Sequence, residues 1–449
     1  MKITATSSDS STAAGAVEEF VNEMDAVREL MHSSLQLVPQ LDNMDAAFEI
    51  ALGQALPQTS TSDRRAAIEK WQNALDELQA LLPLEGEGVD AEQGDGGGPD
   101  HGREIEILNR VTREVGNLLN KPTAIAIVIS AWRESVERPL RTPLLLSALL
   151  TTAVSGFEVL ISRLARSFYA LKPEALRAGG ATYTLADIEG FATIDEFREF
   201  CADRSVDSLM FGGLDEWVKW FEKNLNISWN DFAREPDDLR EVFQRRHLVV
   251  HNGGVVNRQY LLKTSASDAP ALGVRLFVGP DYVTRALDLL TLAGVLLGIR
   301  LLRKLDKSND LTGRPADDLA YKLSYRFLLR GRYSTVEQLV ATEHALCTDQ
   351  SLAAIMQVNG WVARKELYGL PAIKEEVQAW QTLAMAKRFR LAQDALLDKN
   401  EDALRLGLEL RASGEMSTED WMTWPMLRGV REYEAELNMQ SDSDTGVDQ

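Results

Sequence analysis

The sequence predicts an all-α protein with three helical parts: a central bundle, an N-terminal helical region and a C-terminal region of helical hairpins. Two observations carry this. Apolar residues recur at three- and four-residue spacing along most of the chain, the period of an amphipathic helix. Alternating runs are nearly missing: "GVRLFVGPDYV" holds at most one short strand, which does not make a sheet. With 449 residues, 45% of them hydrophobic, the chain buries a sizeable core, and length favours more than one unit.

Residues 14–83 read as three helices separated by "VPQ" and "LPQTSTSD", and form an acidic region over 1–84. The segment "EGEGVDAEQGDGGGPDHG" is too polar and glycine-rich to pack, so 85–103 reads as a flexible linker. The central domain is expected over 104–307, with long helices near 104–119, 122–135, 142–171 and 281–305. Shorter helices, among them "TIDEFREFCAD" and "LDEWVKWFEKN", fall between. Successive helical patterns of about 12–16 residues over 308–438 resemble a solenoid of hairpins. The polar ends, 1–15 ("MKITATSSDSSTAAG") and 439–449, are expected to be disordered.

Charge and cysteine usage narrow the functional classes. The net charge is −20, but it is uneven. Residues 1–100 hold 5 Lys and Arg against 19 Asp and Glu, residues 101–310 hold 27 against 27, and residues 311–449 hold 16 against 22. The neutral middle has room for a local basic cleft, though no broad basic face announces itself. Cys201 and Cys347 stand far apart, which excludes a disulfide framework or a cysteine zinc site and points to a reducing compartment. The N-terminus lacks the apolar core of an export signal, and the apolar runs from Pro143 and over 289–299 fall short of the roughly 18–20 residues that span a bilayer. A cytoplasmic location with no membrane contact is expected. No phosphate-binding G-x-x-x-x-G-K-[ST], no G-x-S-x-G and no H-E-x-x-H occurs, so no cofactor is expected.

The chemistry concentrates in "LREVFQRRHLVVHNGGVV", 239–256, where two arginines and two of five histidines fall within seven residues. Pro236, Asp237 and Asp238 open a helix with an acidic first turn, and Asn252-Gly253-Gly254 ends it. Leu239, Val242, Phe243, Val249 and Val250 share one stripe, and Arg246 lies in its middle. A guanidinium cannot shed its proton, so Arg246 requires a carboxylate, a cleft or an anionic ligand. Arg240, Gln244, His247 and His251 form a flanking stripe, with His251 on the last turn, where its ring can swing toward the arginine. Three structural alternatives stand beside a catalytic one. Arg246 forms a buried ion pair with a neighbouring helix; His247 and His251 share a zinc ion, for which no third ligand is evident; or His251 caps the helix C-terminus as a cation.

The segment "RRHLVVHNGGVVNRQYL" resembles the signature of HEPN domains of bacterial defence and toxin systems, an arginine followed after four to six residues by histidine, often with a polar residue directly after the arginine. The resemblance maps the catalytic arginine onto Arg246, the polar position onto His247 and the catalytic histidine onto His251. "LLTTAVSGFEVLISRLARSFY" is similar to the long first helix of such domains and "YVTRALDLLTLAGVLLGIRLL" to the closing one, so the likeness spans roughly 140–305. It implies a metal-independent endoribonuclease that cuts tRNA or mRNA by 2′-hydroxyl attack, leaving a 2′,3′-cyclic phosphate. It also implies a homodimer and a role in anti-phage defence or a toxin–antitoxin pair, with the flanking helices engaging a sensor, antitoxin or other protein partner. Histidine suits proton transfer near neutral pH and arginine matches phosphate oxygens. Asn252 is expected to donate to phosphate or simply to end the helix, Glu158 to orient Arg246 or to sit in solvent, and Tyr260 to line the cleft or pack in the core. Arg245 is expected to be a solvated or phosphate-steering charge. The rival expectation is a non-catalytic HEPN-like scaffold that dimerises and binds a nucleotide, RNA or protein.

Overall fold

The computed structural model describes residues 12–38, 42–81, 101–137, 140–179, 182–228, 230, 236–264, 270–306 and 314–445. Among the described residues every regular element is a helix, and the only strand-like pairing is a single bridge between Val255 and Arg275. The chain divides into two compact units, one of Met1–Val27, Leu150–Leu276 and Asp281–Gln449, the other of Arg28–Leu149 and Phe277–Pro280.

This division departs from the expected partition at 84, 103 and 307. The first helix, α1 (Ala13–Leu35), is cut after Val27, and its N-terminal turns belong with residues far downstream. The reason lies in three glycines. A Cβ on Gly298 would come within 2.2 Å of Val17, one on Gly294 within 2.5 Å of Phe20, and one on Gly156 within 2.8 Å of Glu23. Only hydrogen at these positions lets the backbones approach so closely, and the apolar face of α1 fills the space.

The smaller unit is built on α2 (Met44–Ala55), α3 (Thr61–Gln79), α4 (His101–Leu118) and α5 (Ala124–Glu137). Asn43 caps α2 by accepting from Asp45, and Ser60 caps α3 by accepting from Asp63 at 3.1 Å. Phe48, Leu52, Trp71, Val111 and Val128 form its core, and Trp71 meets Trp132 edge-on at 6.0 Å. The proposed linker falls mostly outside the described residues, but its last three positions, 101–103, already belong to α4.

The larger unit contains the second part of α6 (Arg141–Leu171), the short α7 (Leu185–Glu189), then α8 (Ile194–Leu225), α9 (Pro236–Asn252), α10 (Arg258–Thr264) and α11 (Pro280–Asp306). What reads in sequence as two short helices is one helical run, α8, broken at Gly213, whose φ of 70° is open to glycine. Val154, Phe157, Leu160, Ile161 and Leu164 of α6 are fully enclosed. By length and composition a window within Ala124–Leu171 is apolar enough to cross a membrane, contrary to the sequence expectation, yet 50% of it is buried in protein.

The same unit continues through α12 (Arg314–Leu329), α13 (Tyr333–Glu343), α14 (Gln350–Tyr368), α15 (Lys374–Ala379), α16 (Lys387–Leu396), α17 (Asn400–Ala412), α18 (Thr418–Thr423) and α19 (Arg428–Thr445). The helix α19 runs through residues expected to be a disordered tail from 439; residues 1–11 and 446–449 lie outside the described set. Buried carboxylates tie this region in. Asp317 accepts from Arg303 at 2.6 Å and from the Thr348 N–H and hydroxyl at 2.8 and 2.6 Å, while Glu343 pairs with Arg300 at 2.9 Å and Arg303 at 3.1 Å. Asp25 of α1 is paired with Arg326, Arg330 and Arg332.

Candidate functional site

The helix α9 has the expected acidic opening, and its end is a glycine device. Gly253 and Gly254 have φ of 56° and 80°, and the Gly254 N–H reaches back to the Leu248 carbonyl at 2.9 Å, closing the last turn. Gly254 is doubly constrained, since a Cβ would lie 2.8 Å from the Leu276 carbonyl oxygen. The Asn252 side chain donates to the Val255 carbonyl, so it serves the turn rather than standing ready for phosphate.

The buried face differs in part from the predicted stripe. Leu239, Val242 and Phe243 are buried as expected, and Phe243 packs edge-on against Phe157 at 5.7 Å and Trp217 at 5.8 Å. Beyond Arg246 the packing rotates: Leu248 is buried with Val256 and Tyr260, whereas Val250 is 48% exposed. The hairpin-like return of 271–276 onto the end of α9 supplies Leu248 with its cover and leaves Val250 without one.

Arg246 and Glu158 of α6 form an ion pair, so the carboxylate required by the stripe comes from the residue singled out for it. The pair is partly open, with Arg246 22% and Glu158 31% exposed, and the Arg246 Nε is enclosed with no hydrogen-bond partner. Both residues line a cleft of about 330 Å³. Arg240, His247 and Lys263 share its wall with Asp215, giving three fixed basic side chains against two acidic ones in a chain of net charge −20. Arg240 bonds Asp215 and Asp237, each at 3.3 Å.

His251 does not line this cleft, and it does not swing to Arg246. It is exposed on the last turn with its ring 4.7 Å from that of His247, which stands at the cleft wall between them. Burial, joined by the nearby His251, Arg246 and Lys263, holds the His247 imidazole below its ordinary value, favouring the neutral ring. Among the described residues no three His, Cys, Asp or Glu side chains gather as metal ligands, so this histidine pair has no third member.

Arg245 is neither solvated nor aimed at the cleft. Its side chain is 15% exposed, pairs with Glu241 at 2.8 Å and lies over the Tyr282 ring at 4.6 Å. Glu241 also accepts from the Tyr260 and Tyr282 hydroxyls, each at 2.6 Å. Burial and the Glu241 hydrogen bond push the Tyr260 phenol up to about 12, and Tyr282 is raised further by burial and the Glu241 charge. Arg245 and Tyr260 therefore belong to a structural cluster beneath α9.

Three cleft residues carried no sequence signal of their own: Lys263, Asp215 and Phe211. Phe211 is 93% exposed at the cleft edge, beside the break at Gly212-Gly213. That Gly-Gly pair inside a helical pattern is the clue that places it. Comparison with protein-family models, with curated proteins and with solved structures finds no match.

Proposed function

We propose that the chain is a metal-independent endoribonuclease of HEPN type, acting on cytoplasmic tRNA or mRNA in anti-phage defence or as a toxin. The observation that carries the reading is the convergence of Arg246, His247 and Lys263 on one cleft, with the His251 ring tilted against that of His247 at 4.7 Å. In the proposed reaction His251 accepts the proton of a ribose 2′-hydroxyl, and the freed oxygen attacks the adjacent phosphorus. The 5′-oxygen then leaves with a proton from solvent, to which His251 returns the one it accepted, and a 2′,3′-cyclic phosphate remains. Arg246 neutralises charge on the phosphate oxygens in the transition state, and Glu158 positions its guanidinium. His247, kept neutral, bridges the two at the cleft wall.

The reading includes a homodimer in which two copies of α9 share one cleft. The exposure of Val250 at 48% and Leu262 at 83% beside the site supports a covering partner. The flanking helical regions are assigned to a sensor, antitoxin or other protein partner.

A second reading, a non-catalytic scaffold that dimerises and binds RNA, a nucleotide or a protein, is favoured by one observation: the Arg246 guanidinium is already engaged by Glu158. The two part on cleavage of bulk tRNA and mRNA by purified protein in EDTA, beside His251→Ala and Arg246→Ala, with end-group analysis. Cyclic-phosphate ends that vanish in both variants establish the nuclease. Intact RNA with folded wild type, alone and with extract of infected cells, establishes the scaffold.

A further inference from the structure

A cavity of about 420 Å³, the size of a small-molecule site, lies among α12, α14, α16 and α18. Its walls are aromatic: Tyr321 and Tyr325 from α12, Phe389 from α16 and Trp424 after α18. Aromatic walls select a flat ring, which stacks or meets them edge-on.

The exposed Glu419 carboxylate and Thr423, whose hydroxyl donates to the Glu419 carbonyl at 2.8 Å, share the cavity wall with three further polar groups that differ in what they have left to offer. Asp420 is fully engaged, accepting from the Trp424 indole N–H at 3.1 Å and from the Ser417 hydroxyl and N–H at 2.8 and 3.3 Å. Asn359, only 5% exposed, donates its amide to the Ser324 hydroxyl at 3.0 Å, and its Oδ1 accepts no hydrogen bond among the described residues. An acceptor left open on a cavity wall is free to take a donor from a ligand. Arg388 is exposed, lies over the Phe389 ring at 5.1 Å and has no carboxylate within ion-pair distance among the described residues. In a chain with 68 acidic residues against 48 basic ones, an arginine left unpaired at the mouth of an aromatic cavity marks an anion position.

We infer that this cavity binds a flat aromatic ligand carrying an N–H donor and an anionic group, the ring between the aromatic walls, the donor on Asn359 Oδ1 and the anion on Arg388. Two sources share this chemistry: a nucleoside monophosphate, whose anion is phosphate, and an aromatic carboxylate bearing an N–H on or beside its ring.

Calorimetric titration of the full chain with AMP, GMP, anthranilate and indole-3-acetate tests it, with adenosine and aniline as partners lacking the anion. One ligand per chain with Kd below about 1 mM is expected for at least one of the four acids. Adenosine or aniline should bind at least about tenfold more weakly than the matching acid. Arg388→Gln should weaken the acid by a similar factor, while Arg390→Gln, exposed on the same helix but outside the cavity, leaves it unchanged. Binding confined to the monophosphates identifies the phosphate source, and binding confined to the carboxylates the other. Absence of binding by all four, or binding indifferent to Arg388→Gln, overturns the inference.

Discussion

Glu158 and Arg246, 88 residues apart, form the ion pair that joins α6 to α9 at the wall of the cleft. Both side chains remain partly in solvent, so the pair contributes modestly to stability, about 1 kcal/mol. Glu158→Gln should therefore lower the urea midpoint slightly with an unchanged slope. On the nuclease reading it should lower kcat by on the order of ten- to a hundredfold with little change in KM, because a loosened guanidinium is misplaced rather than lost. An Arg246→Lys variant with the kcat and stability of wild type would contradict a role for the planar fork.

His247 gives a pH signature. Its folded-state pKa lies below the unfolded one, so the unfolded chain binds more protons as the pH drops through the interval between them. The stabilisation is complete above the unfolded value of about 6.5 and is lost as pH falls through the folded value. Denaturant unfolding of wild type and His247→Asn at pH 7.5 and pH 5 should show a smaller acid loss for the variant. An identical loss in both assigns the acid sensitivity elsewhere.

Phe211 is so exposed that its removal should leave stability within about 0.5 kcal/mol of wild type. If RNA occupies the cleft, the ring is a stacking platform at its edge. Phe211→Ala should then weaken binding of a single-stranded oligonucleotide by about 1–3 kcal/mol in a fluorescence-anisotropy titration.

Gly298→Ala and Gly294→Ala test the seat of α1. Each added methyl meets Val17 or Phe20 where no space exists, and a loss of about 1–3 kcal/mol is expected in thermal or urea unfolding. Gly53→Ala in α2 is the contrast: its Cβ meets only the flexible end of Arg64 at 3.5 Å, so the gain in helix propensity should make it neutral or stabilising.

Cys347 should resist alkylation. Burial, reinforced by the Asp317 charge, pushes its thiol up to about 11, so iodoacetamide at pH 8 meets almost no thiolate. Rapid labelling of the folded protein at that pH would refute this environment.

The legible part of this molecule was local. Helix spacing and the acidic start and glycine end of α9 depend on neighbours within a few residues, and the local sequence announced them. The need of Arg246 for a carboxylate, a cleft or an anionic ligand was also visible, because an arginine among Val242 and Phe243 has few alternatives, and the structure supplies the first through Glu158. What escaped was long-range. The fit of Gly294 and Gly298 to Val17 and Phe20 involves residues far apart in the chain, and no local pattern shows which helix a small-residue face will meet. His251 was misplaced for a different, local reason: its ring meets His247 one turn back, a contact that competes with any swing to Arg246.

Asp25 ties the start of the chain to its last third, since its arginine partners lie 301 to 307 residues downstream. A ribosome adding about 5–20 residues per second needs on the order of 15–60 s between the emergence of that aspartate and of Arg332. For that time the Asp25 carboxylate has no counterion, and the apolar face of α1 waits first for Gly156 and then for Gly294 and Gly298 to complete its seat. The larger unit is thus complete only after most of the polypeptide has been synthesised, and the nascent chain passes through a long interval in which α1 is a natural target for chaperones. A protein truncated before Arg332 would carry this interval permanently.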